Sequence, residues 1–229
     1  MIVWLSSYPR SGNTLLRNMI HQAFGMRTFS RYDDKTDVGL SSELCDLTGH
    51  AFMGTDFQQF YDERYNSPEL NFVKTHHPPQ DDSPAIYIIR DGRSSVVSFH
   101  NYVQRILKRE GITLADIIRG QKVAVHYGNW STHVGNWNPL VRPKTLLLRY
   151  TDLHERPDQV LDAVSSFLNI PRTGEWQNNF GTLQTVLPEF FRHGSDEKNR
   201  AQLEDEDLEL FWSIHGPCMK EYGFGSDEP

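Results

Sequence analysis

Four apolar residues, Ile2-Val3-Trp4-Leu5, lead straight into the loop Ser6 to Asn13, after which Leu15, Leu16, Met19, Ile20 and Phe24 recur at helical spacing. The apolar run reads as a buried strand. Pro9 and Gly12 punctuate the loop, and Gly25 supplies the left-handed residue that commonly ends a helix. Strand, loop and amphipathic helix thus follow one another within the first 25 residues. A chain that repeats this alternation folds as an open parallel sheet with helices on its faces.

The alternation does repeat. Asn71–His76 and Ala85–Ile89 are rich in β-branched and aromatic residues and are bounded by Pro78, Pro79 and Pro84, so two more strands are expected there. Asp91 is a plausible N-cap for a helix whose apolar stripe is Val96, Val97, Phe99, Tyr102, Val103 and Ile106. Trp130, Val134 and Trp137 mark a further helix, Thr145–Tyr150 a fourth strand, and Val160 to Leu168 the helix after it. Leu203–Tyr222 reads as the last helix, with the acidic run Glu204 to Asp207 in its first turn, where carboxylates suit the helix dipole. Thr28 to Leu70 is polar and weakly periodic, and short helices and loops are expected there. The expected architecture is α/β: a single domain over residues 1–229, with a central parallel sheet flanked by helices and ligands bound beyond the carboxyl ends of its strands.

Charge narrows the choice of ligand. Lys and Arg number 23 against 30 Asp and Glu, a net charge of −7, the wrong sign for broad contact with nucleic acid or anionic lipid. An anionic ligand must therefore be held locally. Cys45 and Cys218 are the only cysteines and can form at most one bridge, so a reducing compartment is expected. No apolar run approaches the roughly 20 residues of a membrane span. A soluble, cytoplasmic protein is the expectation.

The loop after the first strand offers such a local site. At a strand-to-helix turn the first amides of the helix are unpaired and the dipole favours an anion. Gly12 lets the backbone approach a ligand, Thr14 adds a hydroxyl and Arg10 a charge. The spacing is not that of a Walker A loop, which disfavours an ordinary ATPase or GTPase. Instead Tyr8-Pro9-Arg10-Ser11-Gly12-Asn13-Thr14 resembles the 5′-phosphosulfate loop of sulfotransferases that use 3′-phosphoadenosine 5′-phosphosulfate (PAPS). Arg10 stands where cytosolic members usually carry Lys.

Three more segments resemble that family in the same order. Lys74-Thr75-His76-His77-Pro78 is similar to its Lys-Thr-His-x-Pro strand end, Arg90 with Ser98 eight residues on to its 3′-phosphate segment, and Gly128-Asn129-Trp130 followed by Arg149-Tyr150-Thr151-Asp152-Leu153 to its Gly-x-Trp helix and Arg-Tyr-Glu-Asp-Leu strand end. Together they reach to about residue 170. Near the end, Arg192-His193-Gly194 resembles the Arg-Lys-Gly element that closes over the 3′-phosphate, although the Gly-Asp-Trp that often follows is replaced by Ser195-Asp196-Glu197.

The resemblance implies transfer of a sulfuryl group from PAPS to a hydroxyl or amine, leaving adenosine 3′,5′-bisphosphate (PAP). Residues two apart on a strand share a face, so Lys74 and His76 can point into one site while His77 points away. An imidazole accepts a proton near neutral pH, and His76 is the expected base, with Arg10 and Lys74 stabilising the sulfuryl and leaving-phosphate oxygens. Arg10, Ser11, Gly12, Asn13, Thr14, Arg90, Ser98, Tyr150, Arg192 and Gly194 are the expected nucleotide contacts. Leu15 stands where many members place a Trp against adenine; Tyr150 and Trp130 are candidates for other parts of that pocket, with core packing the competing role of Trp130. There is no His-Glu-x-x-His motif or magnesium-type carboxylate cluster, so no metal is expected. The expected acceptor is a small molecule or glycan, with no nucleic-acid or membrane partner. The competing readings are a P-loop small-molecule kinase, which would need a Walker A lysine, and a nucleotide-binding module in which His76 is idle.

Overall fold

Five strands pair side by side, all parallel, in the order β2-β3-β1-β4-β5: β1 (Ile2–Ser7), β2 (Thr28–Ser30), β3 (Asn71–Thr75), β4 (Ala85–Ile89) and β5 (Thr145–Arg149). They belong to a computed structural model that describes residues 1–32, 34–123, 126–192 and 195–225, Thr36 by its backbone alone. The helices are α1 (Asn13–Phe24), α2 (Ser42–Thr48), α3 (Phe57–Tyr65), α4 (Gly92–Arg105), α5 (Leu114–Arg119), α6 (Trp130–Trp137), α7 (Tyr150–Glu155), α8 (Pro157–Leu168), α9 (Phe180–Val186), α10 (Asp196–Arg200) and α11 (Asp205–Glu221).

The sheet is buried on both faces, which is why its strands read as continuous apolar runs. Ile2, Trp4, Val73, Ala85, Tyr87 and Ile89 point to one side, against Val96, Val103, Trp130, Val134 and Phe211 of α4, α6 and α11. Val3, Leu5, Phe72, Ile86 and Ile88 point to the other, against Leu16, Met19 and Ile20 of α1 and Val160, Leu161 and Val164 of α8. Burying one such aliphatic side chain contributes roughly 1.5–3 kcal/mol. Trp130, fully buried in the first of these clusters, is a core residue, not part of a ligand pocket.

Helix ends follow the sequence signals. Gly25 closes α1 at φ 65°, donating its N–H to the His21 carbonyl, and the Asp91 carboxylate caps α4 by accepting from Arg93 N–H. Asp205, Glu206 and Asp207 fill the first turn of α11. Two differences concern the sheet. The Thr28–Leu70 stretch holds, besides α2, α3 and the 3-10 turn Asp34–Thr36, the edge strand β2, which pairs with β3 and bridges His50 through Thr28. The strands β3 and β5 stop at Thr75 and Arg149, one residue short of the expected ends, so Tyr150 opens a helix instead of ending a strand. Cys45 and Cys218 are free thiols, and no helix among the described residues is long and apolar enough to cross a membrane.

Candidate active site

Every strand delivers a polar or aromatic side chain at its carboxyl end to one cavity of about 490 Å³: Arg10 after β1, Tyr32 and Asp34 after β2, His76 after β3, Arg90 after β4 and Tyr150 after β5. The order β3-β1-β4 means the chain leaves β1 to either side, the kind of switch point where open parallel sheets form crevices.

The loop after β1 turns sharply because Arg10 and Gly12 both have left-handed backbones, at φ 64° and 101°. Asn13 Nδ2 donates to the Leu5 carbonyl at 2.9 Å and pins the loop to its strand. Gly12 is the N-cap of α1 and offers no side chain to it, so the first-turn amides are left for another acceptor. A Cβ on Gly12 would lie 2.7 Å from Tyr150 Cδ2, so only glycine lets this backbone sit against that ring.

Two guanidiniums flank the loop. Arg10 lies over the Phe190 ring at 4.2 Å and donates to the Phe190 carbonyl at 2.8 Å, while its buried Nε has no hydrogen-bond partner among the described residues. Burial pushes its pKa down to about 10, so it stays cationic at neutral pH. Arg90, 4% exposed, stacks on Tyr150 at 4.0 Å, donates from Nη1 to the Arg10 carbonyl and from Nε to Asp196 Oδ1 at 2.7 Å. Its Nη2 is 2.6 Å from the same oxygen but makes no hydrogen bond of acceptable geometry. Asp196 thus occupies part of a fork shaped for an oxyanion.

His76 is held from three directions. Its ring Nδ1 is 2.7 Å from the Ser7 carbonyl, an acceptor only, so Nδ1 carries the proton and Nε2 the lone pair. Its backbone N–H donates to Tyr32 Oη at 2.7 Å, and the Tyr32 ring stacks on the imidazole at 5.5 Å and 19°. Burial, reinforced by the Lys74 ammonium, lowers its pKa to about 3, so the imidazole is neutral at physiological pH. His77 is not part of the cavity; its carbonyl accepts from Trp137 Nε1 at 2.9 Å.

Beneath Lys74 lies a buried ionic cluster. Lys74 Nζ is 3.1 Å from Asp34 Oδ1, and Arg17, fully buried on α1, is 3.2 Å from Asp34 Oδ2. Burial alone would raise the Asp34 carboxyl, but Lys74 and Arg17 outweigh it and hold it below the usual carboxylate range. Arg17 Nη2 also contacts His50 Nδ1 at 2.5 Å, and burial, then Arg17, lowers His50 to about 4. The net charge left pointing at the cavity is the lysine's.

Of the residues singled out in the sequence, Arg10, Gly12, Asn13, Thr14, Lys74, His76, Arg90, Ser98, Tyr150 and Arg192 line this one cavity. Ser11 is not among the lining residues: it is buried, and its hydroxyl lies 3.1 Å from that of Ser95. Gly194 lies outside the described residues. Sequence reasoning missed Tyr32, Asp34, Asp37, Tyr102, Tyr127, Trp176 and Phe180, which also line the cavity. All but Tyr102 come from stretches with no clear periodicity. Among the described residues no group of three or more His, Cys, Asp or Glu could hold a metal ion.

Comparison with known proteins follows this geometry. A sequence model described as "Sulfotransferase domain" matches residues 2–223. Flavonol 4′-sulfotransferase of Flaveria chlorifolia is 23% identical over 201 residues, covering 81% of this chain and 60% of the relative; flavonol 3-sulfotransferase of Flaveria bidentis is 23% identical over 202 residues, with 81% and 62% covered. This chain therefore spans about 60% of the length of these curated relatives. Among solved structures, mouse sulfotransferase SULT7A1 complexed with PAP superposes with TM-score 0.62 at 19% identity, covering 96% of this chain and 88% of that one. Retinol dehydratase in complex with androsterone and inactive cofactor PAP gives 0.63 at 16%, with 96% and 81% covered. The fold is shared with both, and the match of the domain model to nearly the whole sequence establishes that this chain belongs to the sulfotransferase domain family.

Proposed function

We propose that the chain transfers a sulfuryl group from PAPS to a hydroxyl or amine of a small-molecule acceptor, releasing PAP. The observation that carries this reading is the tautomer of His76: a proton fixed on Nδ1 by Ser7 and an unprotonated lone pair on Nε2, in the cavity that also receives Arg10, Lys74 and Arg90. The described residues fit a doubly phosphorylated donor. Among the described residues, Arg10 Nε is buried without a hydrogen-bond partner, and Gly12, the N-cap of α1, brings no side chain to the first amides of that helix.

When bound, PAPS supplies the sulfuryl group: its sulfur–oxygen bond to the 5′-phosphate breaks as the acceptor oxygen or nitrogen bonds to sulfur. The chain's own part is positioning and charge. His76 Nε2 takes the acceptor proton. Arg10, Lys74 and the amides from Ser11 to Thr14 would hold the phosphosulfate end, and Arg90, Ser98 and Arg192 the 3′-phosphate. Tyr150, Trp176 and Phe180 offer aromatic faces for adenine beside Leu15. A cavity of about 490 Å³, together with relatives named for flavonol acceptors, favours a small molecule over a glycan.

Isothermal titration with PAP and with ATP, then incubation with labelled PAPS and a panel of hydroxyl and amine acceptors, tests the proposal. Tight PAP binding without magnesium and label transfer are expected. Preference for magnesium-ATP would overturn it.

A further inference from the structure

The cavity contains a carboxylate that sulfuryl transfer leaves unused. Asp37 follows the 3-10 turn, lines the cavity and is 5% exposed. Its Oδ1 accepts from the adjacent Val38 N–H at 2.6 Å, and its Oδ2 from Tyr102 Oη at 3.3 Å, long for an O–H···O bond. Asp34, three residues earlier, is matched by Arg17 and Lys74, whereas Asp37 makes no ion pair among the described residues. Burial, partly offset by Lys74, raises its carboxyl pKa, the mark of an anion short of partners.

The wall between His76 and Asp37 is aromatic throughout. Ring centroids step from His76 to Tyr127 at 6.2 Å, Tyr127 to Phe99 at 6.4 Å and Phe99 to Tyr102 at 6.5 Å, and Tyr102 hydrogen-bonds Asp37. A flat ring fits such a wall, and π faces also favour a cation. Resting on the donor reading above, the charges then add up in one direction. Arg17 balances Asp34, and Arg10 and Lys74 face the anionic donor. The Asp37 carboxylate is the charge left for the acceptor to meet, and a buried carboxylate gains most from a charged hydrogen-bond donor.

We propose that Asp37 is the acceptor-recognition residue and that the acceptor class is a hydroxyaryl amine, its ring along Tyr127, Phe99 and Tyr102, its hydroxyl at His76 and its ammonium on Asp37.

The test uses phenols para-substituted with an aminoethyl, hydroxyethyl or ethyl group, and the same three with a propyl tether, as acceptors for labelled PAPS. Within at least one tether length the amine should exceed both neutral partners in kcat/KM by about tenfold or more. Asp37→Asn, which keeps an oxygen for Val38 N–H, should collapse that ratio to below about threefold, and Tyr102→Phe should lower it several-fold. PAP affinity, read by titration, reports whether each variant is folded, and the wild-type ratio stands without any variant. Equal use of amine and neutral phenols, an unchanged ratio in Asp37→Asn, or sulfation of other acceptors with none of these phenols used would overturn the proposal while PAP binding upheld the donor reading. Failure of the wild type to bind PAP would remove both.

Discussion

Replacing Arg90 by Ala isolates the proposed 3′-phosphate site, provided the phosphate itself is varied too. The guanidinium is nearly inaccessible, stacked on Tyr150 and tied through Nη1 to the Arg10 carbonyl, so it is pre-ordered for an anion. A charge-assisted hydrogen bond contributes about 1.5–3 kcal/mol, or roughly 10- to 150-fold in affinity. Asp196 lowers the net gain, because its carboxylate, 18% exposed, already sits 2.6–2.7 Å from Nη2 and Nε and must yield or share. The lower end of the range is therefore expected. In Arg90→Ala the orphaned Asp196 also repels phosphate, so the double variant with Asp196→Asn is the cleaner measure. Titration of PAP and adenosine 5′-monophosphate into the wild type, Arg90→Ala, Asp196→Asn and the double variant closes a cycle. Arg90→Ala should cost PAP about tenfold or more and the monophosphate less than about threefold, with part of the PAP loss regained in the double variant. An equal loss for both nucleotides would refute the assignment of Arg90 to the 3′-phosphate.

His76→Ala should lower transfer by about a hundredfold or more while leaving PAP affinity within a few-fold, as single-turnover kinetics and titration will show. In Gly12→Ala the added carbon meets Tyr150 at a backbone φ of 101°; denaturant melts should show a loss of about 1–3 kcal/mol, and PAP binding should weaken with the displaced ring. Stability should fall with acidification from pH 6.5. Burial holds His133 at about 3 and His215 at about 4 in the folded protein, so the unfolded chain takes up protons that the folded one refuses as pH drops from about 6.5 towards 4. Each contributes at most about 1.4 kcal/mol per pH unit in that window and nothing above it. A melting temperature unchanged between pH 7.5 and 5 would refute this.

The framework was legible where one physical signal dominates. β1, β3, β4 and β5 are dense apolar runs because both sheet faces are covered, and α1 and α4 advertise their ends through Gly25 and Asp91. β2 was not, since three residues between Arg27 and Arg31 acquire strand character from pairing with β3. Arg17 illustrates a second limit. A charged residue on an amphipathic helix reads as solvent-facing, and the approach of Thr28 in β2, Asp34 in the turn after it and His50 beyond α2 explains its full burial. The pairing of Lys74 with His76 followed from strand alternation, but the carboxylate beneath Lys74 did not. Likewise Ser195-Asp196-Glu197 reads as a missing motif in the sequence, whereas in space Asp196 meets Arg90.

The short edge strand has an evolutionary consequence. Central strands carry the loop and the cations assigned to the donor, while Tyr32, Asp34 and Asp37 hang from a three-residue strand at the sheet's margin, with β3 on one side and a single bridge from Thr28 to His50 on the other. Insertions there leave the central register untouched, so the preference for one acceptor over another can be rewritten, by descent or by grafting, as long as Asp34 keeps its pairing with Lys74 and Tyr32 its hold on His76.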